Sequence, residues 1–435
     1  MRAWDAPLLP PLPGQGPLPT IFDTARQTLV QTVASQQASL YVCGITPYDA
    51  THMGHASTYL CFDLLIRAWL DAGLRVDYVQ NVTDIDDPLL ERAQRDGRNW
   101  QQLALEQTDL FRADMQALAV IPPTHYLGAV ESIPLVIAAV EDLLDQGLAY
   151  TVPGYQDQQG TVHPAGDIYF DTSQASLLNP DDKNHWVLGK ICHLDREQML
   201  ELFGQRGGDP ARPGKRDPLD PLLWRVAREG EPAWDGATLG KGRPGWHIEC
   251  TSIAQKFLPQ PFTVQGGGSD LRFPHHDMGA GHAYALTKKP MAEHYMHTGM
   301  VGLDGKKMSK SLGNLVLVSQ LRAQGIKPAV IRLAVMDHHY RQDWFWTQDL
   351  VKKAQNRYLK YRQALSLDSS EDQQSARELL DRVRNLLAQD LNTPQALVAI
   401  DRWAEQTINR GGQEKSQQGP HLVRDLLGAR LGLEF

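Results

Sequence analysis

The chain has 435 residues, which is long enough for two or three domains rather than one core. Its hydrophobic content of 42%, aromatic content of 8% and net charge of −8 fit a folded protein and argue against intrinsic disorder and a broad basic surface for nucleic acid. Its apolar runs fall short of the roughly 20 residues of a membrane span, and the proline-rich N-terminal stretch lacks the apolar core of a signal peptide. We therefore expect a cytoplasmic protein without a membrane partner.

The first elements along the chain predict a parallel sheet. Residues 39–45 (SLYVCGI) form a β-branched and aromatic run, residues 55–72 carry apolar side chains at helical spacing, and RVDYVQNVTDID predicts a second strand. Strand, helix and strand in this order form a βαβ unit, which is typical of a doubly wound parallel sheet. Such sheets bind ligands beyond the carboxyl ends of their strands, and Cys43 and Asn81 lie at two such ends.

The remaining segments complete the predicted architecture. Residues 88–150 are largely helical in pattern, residues 151–245 are interrupted by Gly, Pro and Asp, and 262–271 and 294–311 each predict a strand with a glycine-rich exit. The predicted fold class is α/β, a Rossmann-like doubly wound parallel sheet with an inserted subdomain and a C-terminal α-helical bundle. The predicted boundaries are an N-terminal lead-in (1–38), a first Rossmann-like half (39–121), a helical and irregular insertion (122–242), a second half (243–319) and a C-terminal helical domain (320–435).

Two histidines flank the predicted start of the first helix, in THMGH (51–55). A helix N-terminus offers free N–H groups and a positive dipole that attract phosphate, and Gly54 leaves room for a nucleotide to approach. His52 and His55 are therefore candidates to bind the phosphates of a nucleotide. The alternative is a pair of ordinary capping or surface imidazoles, and so short a motif does not decide between the two.

A second motif, KKMSKSLGN, places Lys307 and Lys310 on a glycine-flanked loop with Ser309 and Ser311. Two ammonium groups three residues apart can neutralise charge on a departing pyrophosphate, although a solvated basic turn is commoner for such a motif alone. Together and in this order, the two motifs resemble the HIGH and KMSKS signatures of the class I aminoacyl-tRNA synthetases.

Three further residues have the chemistry of a metal site. Cys250 ends the stretch GWHIEC, His275 lies in FPHH, and Cys43 is far upstream. Two thiolates and one imidazole form a natural tetrahedral zinc set, whose fourth position stays open in catalytic sites. Each residue taken singly is more often a core cysteine or a hydrogen-bonded histidine. Of the other cysteines, Cys61 is predicted to be core and Cys192 has no evident partner.

The stretches YVCG, GWHIEC, GGGSDLRFPHH and KMSKSLGN resemble the cysteinyl-tRNA synthetases, in which zinc holds the thiol of substrate cysteine. A thiolate–zinc bond discriminates cysteine from serine because a hydroxyl is a poor soft ligand. The chain departs from that group at HHDMG, where Gly279 stands in the position of a further zinc-binding Glu. The resemblance with this departure implies a site with three protein ligands, Cys43, Cys250 and His275.

The entry stretch CGITPYDATHMGHAS, the lead-in and QRGGDP (205–210) resemble the ligases of mycothiol biosynthesis that join L-cysteine to 1D-myo-inositol 2-amino-2-deoxy-α-D-glucopyranoside (GlcN-Ins). The resemblance covers essentially the whole chain. It implies an ATP-dependent, AMP-forming carbon–nitrogen ligase that activates L-cysteine as cysteinyl-adenylate and transfers it to the amine of GlcN-Ins, giving Cys-GlcN-Ins, AMP and diphosphate. It also implies one Zn²⁺ per chain, Mg²⁺ with ATP, small-molecule substrates only, no tRNA, and a monomer.

The same resemblance implies roles for individual residues. His52, His55, Lys307 and Lys310 would act on the phosphates in catalysis. The residues implied to bind the cysteinyl-adenylate and ATP are Cys43, Gly44, Ile45, Thr46, Thr58, Asn81, Val82, Thr83, Trp246, Gly268, Ser269, Asp270, Val301 and Lys310. The chemistry agrees, since Asp270 after three glycines can reach a ribose hydroxyl and Trp246 offers a wall for the substrate; the alternative for Asp270 is a turn carboxylate. The general base for the acceptor amine is not assigned.

Two other functions stay open. A cysteinyl-tRNA synthetase would share the activation chemistry but transfer cysteine to tRNA, whereas the acidic balance of the chain favours a sugar acceptor. A non-catalytic, zinc-stabilised interaction protein would show no cysteine-dependent ATP–pyrophosphate exchange. That function does not explain why the histidine pair and the lysine pair occur together.

Overall fold

The computed structural model describes residues 1–32, 36–157, 160–308, 314–367, 373–410 and 421–435. The strands of this part of the chain are β1 (Thr20–Asp23), β2 (Thr28–Gln31), β3 (Gln37–Val42), β4 (Arg75–Val82), β5 (His125–Gly128), β6 (Ala149–Thr151), β7 (Tyr155–Gln156), β8 (Val162–His163), β9 (Ile168–Phe170), β10 (Leu222–Val226), β11 (Gly242–Pro244), β12 (Phe262–Gly268), β13 (Ala292–Thr298), β14 (Val301–Leu303), β15 (Lys306–Lys307) and β16 (Trp344–Trp346).

Helices connect and cover these strands. They are α1 (Met53–Asp71), α2 (Asp87–Arg95), α3 (Trp100–Ala117), α4 (Ala129–Asp145), α5 (Thr172–Ala175), α6 (Arg196–Gln205), α7 (Trp246–Phe257), α8 (His275–Thr287), α9 (Val318–Ala323), α10 (Pro328–Met336), α11 (Gln348–Ser366), α12 (Gln373–Ala388), α13 (Thr393–Arg410) and α14 (His421–Leu431), with 3-10 turns at Ala237–Leu239 and Ser269–Arg272. Among the described helices, none combines the length and apolar character needed to cross a bilayer.

The central sheet has five strands in the order β13-β12-β3-β4-β5, and every neighbouring pair is parallel. β3 lies in the middle and is buried on both faces from Ala38 to Val42, as expected of a parallel strand covered by helices. The strand order runs outward in both directions from β3, so the sheet has a topological switch point between β3 and β12. The predicted α/β fold class with a doubly wound parallel sheet is confirmed.

The first βαβ unit forms as the sequence pattern predicted, with one shift. α1 begins at Met53, two residues before the predicted start, because His52 serves as its N-cap. Leu65 and Trp69 are fully buried against the sheet and the C-terminal helices, and Cys61 is buried within the same helix. α1 ends at Asp71 with Ala72 as its C-cap, and Gly73 just beyond has a φ of 83°, in the left-handed region that favours glycine.

Two segments differ from their predictions. The region predicted as a helical and irregular insertion (122–242) contains β5, which pairs with β4 in the central sheet. It also contains β6, β9 and β10 of an antiparallel sheet in the order β11-β10-β9-β6, whose strand β11 begins at the last residue of the region. The strand predicted over 294–311 is divided: β13 belongs to the central sheet, whereas β14 and β15 form a separate sheet with β16. The chain turns between them at Gly299, where a Cβ would lie 2.2 Å from the carbonyl oxygen of Gln342, so the turn admits only glycine.

The C-terminal helices share one hydrophobic core with the first Rossmann-like half. Leu65 of α1 and Leu380 of α12 lie in that core together with Ile400 of α13 and Leu426 of α14. α1 makes direct contact with α14, α10 and α12. The helical character predicted for this region is observed from α9 onward, with β16 inserted between α10 and α11.

A buried ion cluster ties α1 to the C-terminal helices. The Asp63 carboxylate is fully buried and accepts hydrogen bonds from Arg67 Nε at 2.8 Å and from Arg332 Nη2 at 2.6 Å. Arg332 Nε in turn donates to the carbonyl oxygen of Leu431 at 2.7 Å, and the backbone N–H of Ile121 donates to Asp63 at 2.9 Å. Both arginines are almost completely buried, so their charge depends on this carboxylate.

Replacing Asp63 by Asn tests the weight of this cluster. The substitution leaves Arg67 and Arg332 buried without a counter-charge, and removing one partner of a buried ion pair costs roughly 3–5 kcal/mol. We expect the free energy of urea-induced unfolding, followed by far-UV circular dichroism, to fall by about 3 kcal/mol or more. Asp109→Asn is the matched control because Asp109 pairs with Arg112 at the surface, with 57% of the Asp109 side chain exposed. The free energy of unfolding of Asp109→Asn should fall by less than about 1 kcal/mol. An equal fall in both variants would contradict the prediction.

Candidate active site

The carboxyl ends of β3 and β4 are joined by short polar contacts. The backbone N–H of Gly44 donates to Asn81 Oδ1 at 2.9 Å, and Asn81 Nδ2 donates to Thr83 Oγ1 at 3.2 Å. The N–H of Thr83 donates back to the carbonyl oxygen of Ile45 at 2.9 Å. A Cβ on Gly44 would lie 1.6 Å from the carbonyl oxygen of Asn81, so only glycine permits this approach. Four residues predicted to bind the adenylate therefore form one connected edge.

Cys43, Cys250 and His275 meet at this edge and form a candidate metal site. One donor atom from each lies within 4.8 Å of the others, and all three residues are buried. Cys43 follows β3, Cys250 lies on α7, and His275 begins α8. The Nδ1 atom of His275 is 3.0 Å from Nδ1 of His247, which leaves Nε2 of His275 for a metal. The indole of Trp246 stacks on the His275 ring with centroids 4.3 Å apart.

The donor set fits a soft divalent metal. Burial raises the pKa of the Cys43 thiol well above its usual value, whereas hydrogen bonding from Cys43, with the nearby His275 imidazole, holds the pKa of Cys250 well below its usual value. The pair thus favours one thiolate, which is the form that binds metal. Gly279 stands where the cysteinyl-tRNA synthetases have a further zinc-binding Glu. A Cβ at Gly279 would lie 3.2 Å from Thr251 Oγ1, so α7 and α8 approach each other closely at this position. The described residues supply two thiols and one imidazole.

Buried polar residues that the sequence analysis did not identify support Cys43. His276 Nε2 lies 3.3 Å from Cys43 Sγ, and Gln265 Nε2 donates to the same sulfur at 3.5 Å. His276 Nδ1 lies 2.7 Å from His297 Nε2, and His297 Nδ1 lies 2.8 Å from Thr24 Oγ1. This series of hydrogen bonds fixes the orientation of the two imidazoles next to the Cys43 thiol. Of these residues, only His276, the second His of FPHH, could have been identified from the sequence, because it is adjacent to His275. The others come together only in the folded sheet.

The histidine pair lies at the N-terminus of α1. His52 Nδ1 accepts hydrogen bonds from the N–H groups of Gly54 at 3.1 Å and of His55 at 3.4 Å, so His52 is the helix cap. Because Nδ1 is an acceptor, the proton of neutral His52 resides on Nε2, which makes Nε2 a donor. The His55 ring stacks on that of His52 with centroids 3.7 Å apart. Burial lowers the pKa of His52 to about 4 and that of His55 well below its usual value, so both are neutral at pH 7.

The turn Ser269–Arg272 carries Asp270 toward the same edge. It follows directly from Gly268 at the end of β12, and the Asp270 carboxylate is exposed. The negative charge of Asp270 raises the pKa of His52, which opposes the larger lowering of that pKa by burial. Asp270 and the histidine pair therefore face one region.

The other predicted adenylate contacts occupy more varied positions. Thr58 donates to the carbonyl oxygen of Gly54 at 3.2 Å and lies 2.9 Å from the hydroxyl of Thr298, which links α1 to β13. Thr46 is partly exposed just after the end of β3. Val82 at the end of β4 and Val301 at the start of β14 are buried, so contact with substrate would come from their backbones.

The structure describes only part of the KMSKS stretch. The backbone of Lys307 forms the end of β15, its side chain is not described, and Lys310, Ser309 and Ser311 lie outside the described residues. The segment that follows returns to the histidine motif: Met53 N–H donates to Val316 and Val318 N–H donates to Thr51, each at 2.9 Å. The exit from the lysine loop therefore lies beside the start of α1.

Comparison with known proteins agrees with this geometry. Residues 29–356 match the sequence model of the family described as tRNA synthetases class I (C) catalytic domain. Among solved structures, methionyl-tRNA synthetase from Mycobacterium tuberculosis in complex with methionyl-adenylate is similar, with a TM-score of 0.62, 14% identity and 92% of each chain covered. A leucyl-tRNA synthetase ternary complex from Agrobacterium radiobacter has a TM-score of 0.61 at 11% identity, covering 92% of this chain and 84% of that one. These likenesses show the fold. The chain belongs to the class I synthetase superfamily.

Curated relatives narrow this assignment. L-cysteine:1D-myo-inositol 2-amino-2-deoxy-alpha-D-glucopyranoside ligase from Rothia mucilaginosa is 58% identical over 440 residues, covering 100% of this chain and 96% of the relative. The enzyme of the same name from Kocuria rhizophila is 57% identical, with both chains fully covered. The chain belongs to the family of these cysteine ligases, as its sequence motifs predicted.

Gly44→Ala tests the contact between the ends of β3 and β4. The added Cβ overlaps the Asn81 carbonyl, so the strand ends must separate and the hydrogen bond from Gly44 to Asn81 is lost. We expect the variant to unfold at lower urea concentration and to lose cysteine-dependent ATP–pyrophosphate exchange by about 100-fold or more, the loss that small misplacements of reacting groups produce.

Gly204→Ala is the control for this experiment. Gly204 lies within α6, and the nearest atom to an added Cβ is Pro210 Cγ at 3.6 Å, which is ordinary contact. Because alanine is the better helix former, this variant should be as stable as the parent or slightly more stable. A Gly44→Ala protein with parental stability and exchange rate would show that the edge tolerates the side chain.

Proposed function

We propose that this protein is the ATP-dependent ligase that activates L-cysteine as cysteinyl-adenylate and transfers the cysteinyl group to the amine of GlcN-Ins. The observation that carries the proposal is the meeting of Cys43, Cys250 and His275 at the end of β3, in a chain 58% identical over its full length to a ligase of that name. The products are Cys-GlcN-Ins, AMP and diphosphate. The monomeric state, the cytoplasmic location and the lack of a tRNA substrate stay predictions.

Zinc is the metal that the donor set fits best, held by Cys43, Cys250 and His275. When bound, it would supply a thiophilic Lewis acid for the sulfur of substrate cysteine and so distinguish cysteine from serine. Neighbouring residues orient these ligands: His247 contacts Nδ1 of His275, and His276 and Gln265 contact the Cys43 sulfur.

In the activation step, a carboxylate oxygen of cysteine attacks the α-phosphorus of ATP, and the bond from that phosphorus to the pyrophosphate oxygen breaks. His52, neutral and protonated on Nε2, donates a hydrogen bond to the phosphates, and the free N–H groups at the start of α1 add their dipole. Lys307 and Lys310 neutralise the charge on the departing pyrophosphate, with Mg²⁺ accompanying ATP as in the class I synthetase family.

The chain also orients the adenylate for the transfer step. Asn81 and Thr83 present polar groups at the end of β4, Trp246 forms a wall beside His275, and the Asp270 carboxylate binds ribose hydroxyls. The unprotonated amine of GlcN-Ins attacks the activated carbonyl and a carbon–nitrogen bond forms. AMP leaves with the electron pair of the broken mixed-anhydride bond, and the nitrogen releases one proton to solvent as it becomes an amide. Holding both reactants at one sheet edge converts this encounter into a step between bound groups.

Product analysis separates the sugar acceptor from tRNA. Purified protein is incubated with L-cysteine and ATP, together with either GlcN-Ins or tRNA, and the products are identified by mass spectrometry and acid precipitation. We expect Cys-GlcN-Ins and AMP in the first mixture and no cysteinyl-tRNA in the second. Charging of tRNA without formation of the pseudodisaccharide product would assign the chain to cysteinyl-tRNA synthesis. The absence of cysteine-dependent ATP–pyrophosphate exchange would instead support a non-catalytic protein.

Cys43→Ala tests the metal assignment separately. The substitution removes one of three donors, so we expect the bound zinc, measured by atomic emission on dialysed protein, to fall from about one per chain to a small fraction, and cysteine-dependent exchange to be abolished. Cys192→Ala is the control, because Cys192 is buried in a different cluster, with its Sγ donating to the carbonyl oxygen of Gly189. The metal assignment is wrong if Cys43→Ala exchanges pyrophosphate at the parental rate.

A further inference from the structure

The segment QRGGDP (205–210) has no role in the mechanism above, yet it forms a sharply shaped turn at the end of α6. Gly207 has a φ of 83°, in the region that favours glycine, and the N–H of Gly208 returns to the carbonyl oxygen of Phe203 at 2.8 Å. A Cβ on Gly208 would lie 2.5 Å from the Phe203 ring. Asp209 accepts hydrogen bonds from Tyr169 and Lys215, which anchors the far end of the turn in the inserted region.

This turn directs Arg206 out of the insertion and onto the Asp270 turn. Arg206 Nη1 donates to the carbonyl oxygen of Asp270 at 2.5 Å and also to the carbonyl oxygen of Phe273. These two carbonyls lie within and just after the 3-10 turn Ser269–Arg272. One guanidinium nitrogen therefore holds both sides of the turn that carries Asp270.

Burial does not hold the Ser269–Arg272 turn in place. None of its four residues is fully buried, and Gly268 before it is also partly exposed; Leu271 packs against the core at its edge, and the first fully buried residue is Phe273. The guanidinium of Arg206 is itself partly buried, where a hydrogen bond from a charged donor is stronger than in water. Contact with Arg206 is thus a direct constraint on where the Asp270 carboxylate can lie.

We propose that Arg206 is a positioning residue, which fixes the Ser269–Arg272 turn so that the Asp270 carboxylate meets the ribose hydroxyls of ATP. The inference rests on the proposed function, since it needs ATP at this edge. It also gives the inserted region a task in nucleotide binding. The competing explanation is that Arg206 only terminates α6, in which case its loss would change stability but not the recognition of ribose.

Steady-state ATP–pyrophosphate exchange with Arg206→Met and Arg206→Lys distinguishes the positioning role of Arg206 from a role that is limited to terminating α6. We expect Arg206→Met to raise KM for ATP about tenfold or more, as for loss of a hydrogen bond from a charged donor, while KM for cysteine changes by less than about twofold. Lysine keeps the charge but not the planar donor group, so Arg206→Lys should fall between Met and the parent. Arg196→Met is the control, because Arg196 begins the same helix and pairs with Asp217 at the surface, 54% exposed.

Analogues of ATP that lack a ribose hydroxyl provide the sharper measurement. For the parent, 2′-deoxy-ATP or 3′-deoxy-ATP should bind less tightly than ATP, because Asp270 loses its partner. In Arg206→Met this penalty should shrink toward none, since the carboxylate is already misplaced. An unchanged deoxy penalty, or equal rises in KM for ATP and cysteine, would overturn the role of Arg206.

The same experiment separates this inference from the proposed function. If the parent protein exchanges pyrophosphate with cysteine and ATP while Arg206→Met retains the parental KM values, the function stands and the positioning role is wrong. If the parent shows no cysteine-dependent exchange, the proposed function fails and the positioning role fails with it. Thermal unfolding of both Arg206 variants detects a general loss of structure, and Arg206→Lys preserves the test if the methionine variant does not fold.

Discussion

The active-site edge depends on the parallel pairing of β3 with β4 on one side and β12 on the other. Because parallel strands end at the same edge, this pairing brings Cys43, Asn81 and Gly268 together although they are far apart in the sequence. The close approach of Gly44 to Asn81 then fixes the spacing of the first two strand ends. α7 and α8 complete the edge by presenting Cys250 and His275 near their N-termini. One arrangement of the backbone thus brings together the three candidate metal ligands and the residues predicted to bind the adenylate at the strand ends.

The sequence predicted the parts of this arrangement that are local. The first βαβ unit has a strong pattern within about 45 residues, and the resemblance to cysteinyl-tRNA synthetases added the three metal ligands. β5 was missed because four residues, HYLG, are too few for a periodic signal, and its place is set by pairing with β4. The division of 294–311 into β13 and β14 depends on the contact of Gly299 with Gln342, which no local pattern contains.

Polar networks were the least predictable part of the site. The contacts from Cys43 through His276 and His297 to Thr24 join four segments, so each residue viewed alone is an ordinary buried histidine or threonine. Burial also keeps His52, His276 and His297 uncharged at pH 7, since it lowers the pKa of each. A neutral imidazole offers an N–H dipole rather than a full charge, so fixed positive charge at this edge must come from other groups.

The shared core between α1 and the C-terminal helices has a consequence for the evolution and engineering of this fold. Asp63 pairs with Arg67 of α1 itself and with Arg332 of α10, and Asp71 at the end of α1 pairs with Arg384 of α12 and Arg430 of α14. The last helices are thus a structural extension of the nucleotide-binding half rather than an exchangeable appendage. Recombination between relatives near residue 320 would separate charges from their partners in the interior. Chimeras of these enzymes should exchange α1 and the C-terminal helices as one inherited unit.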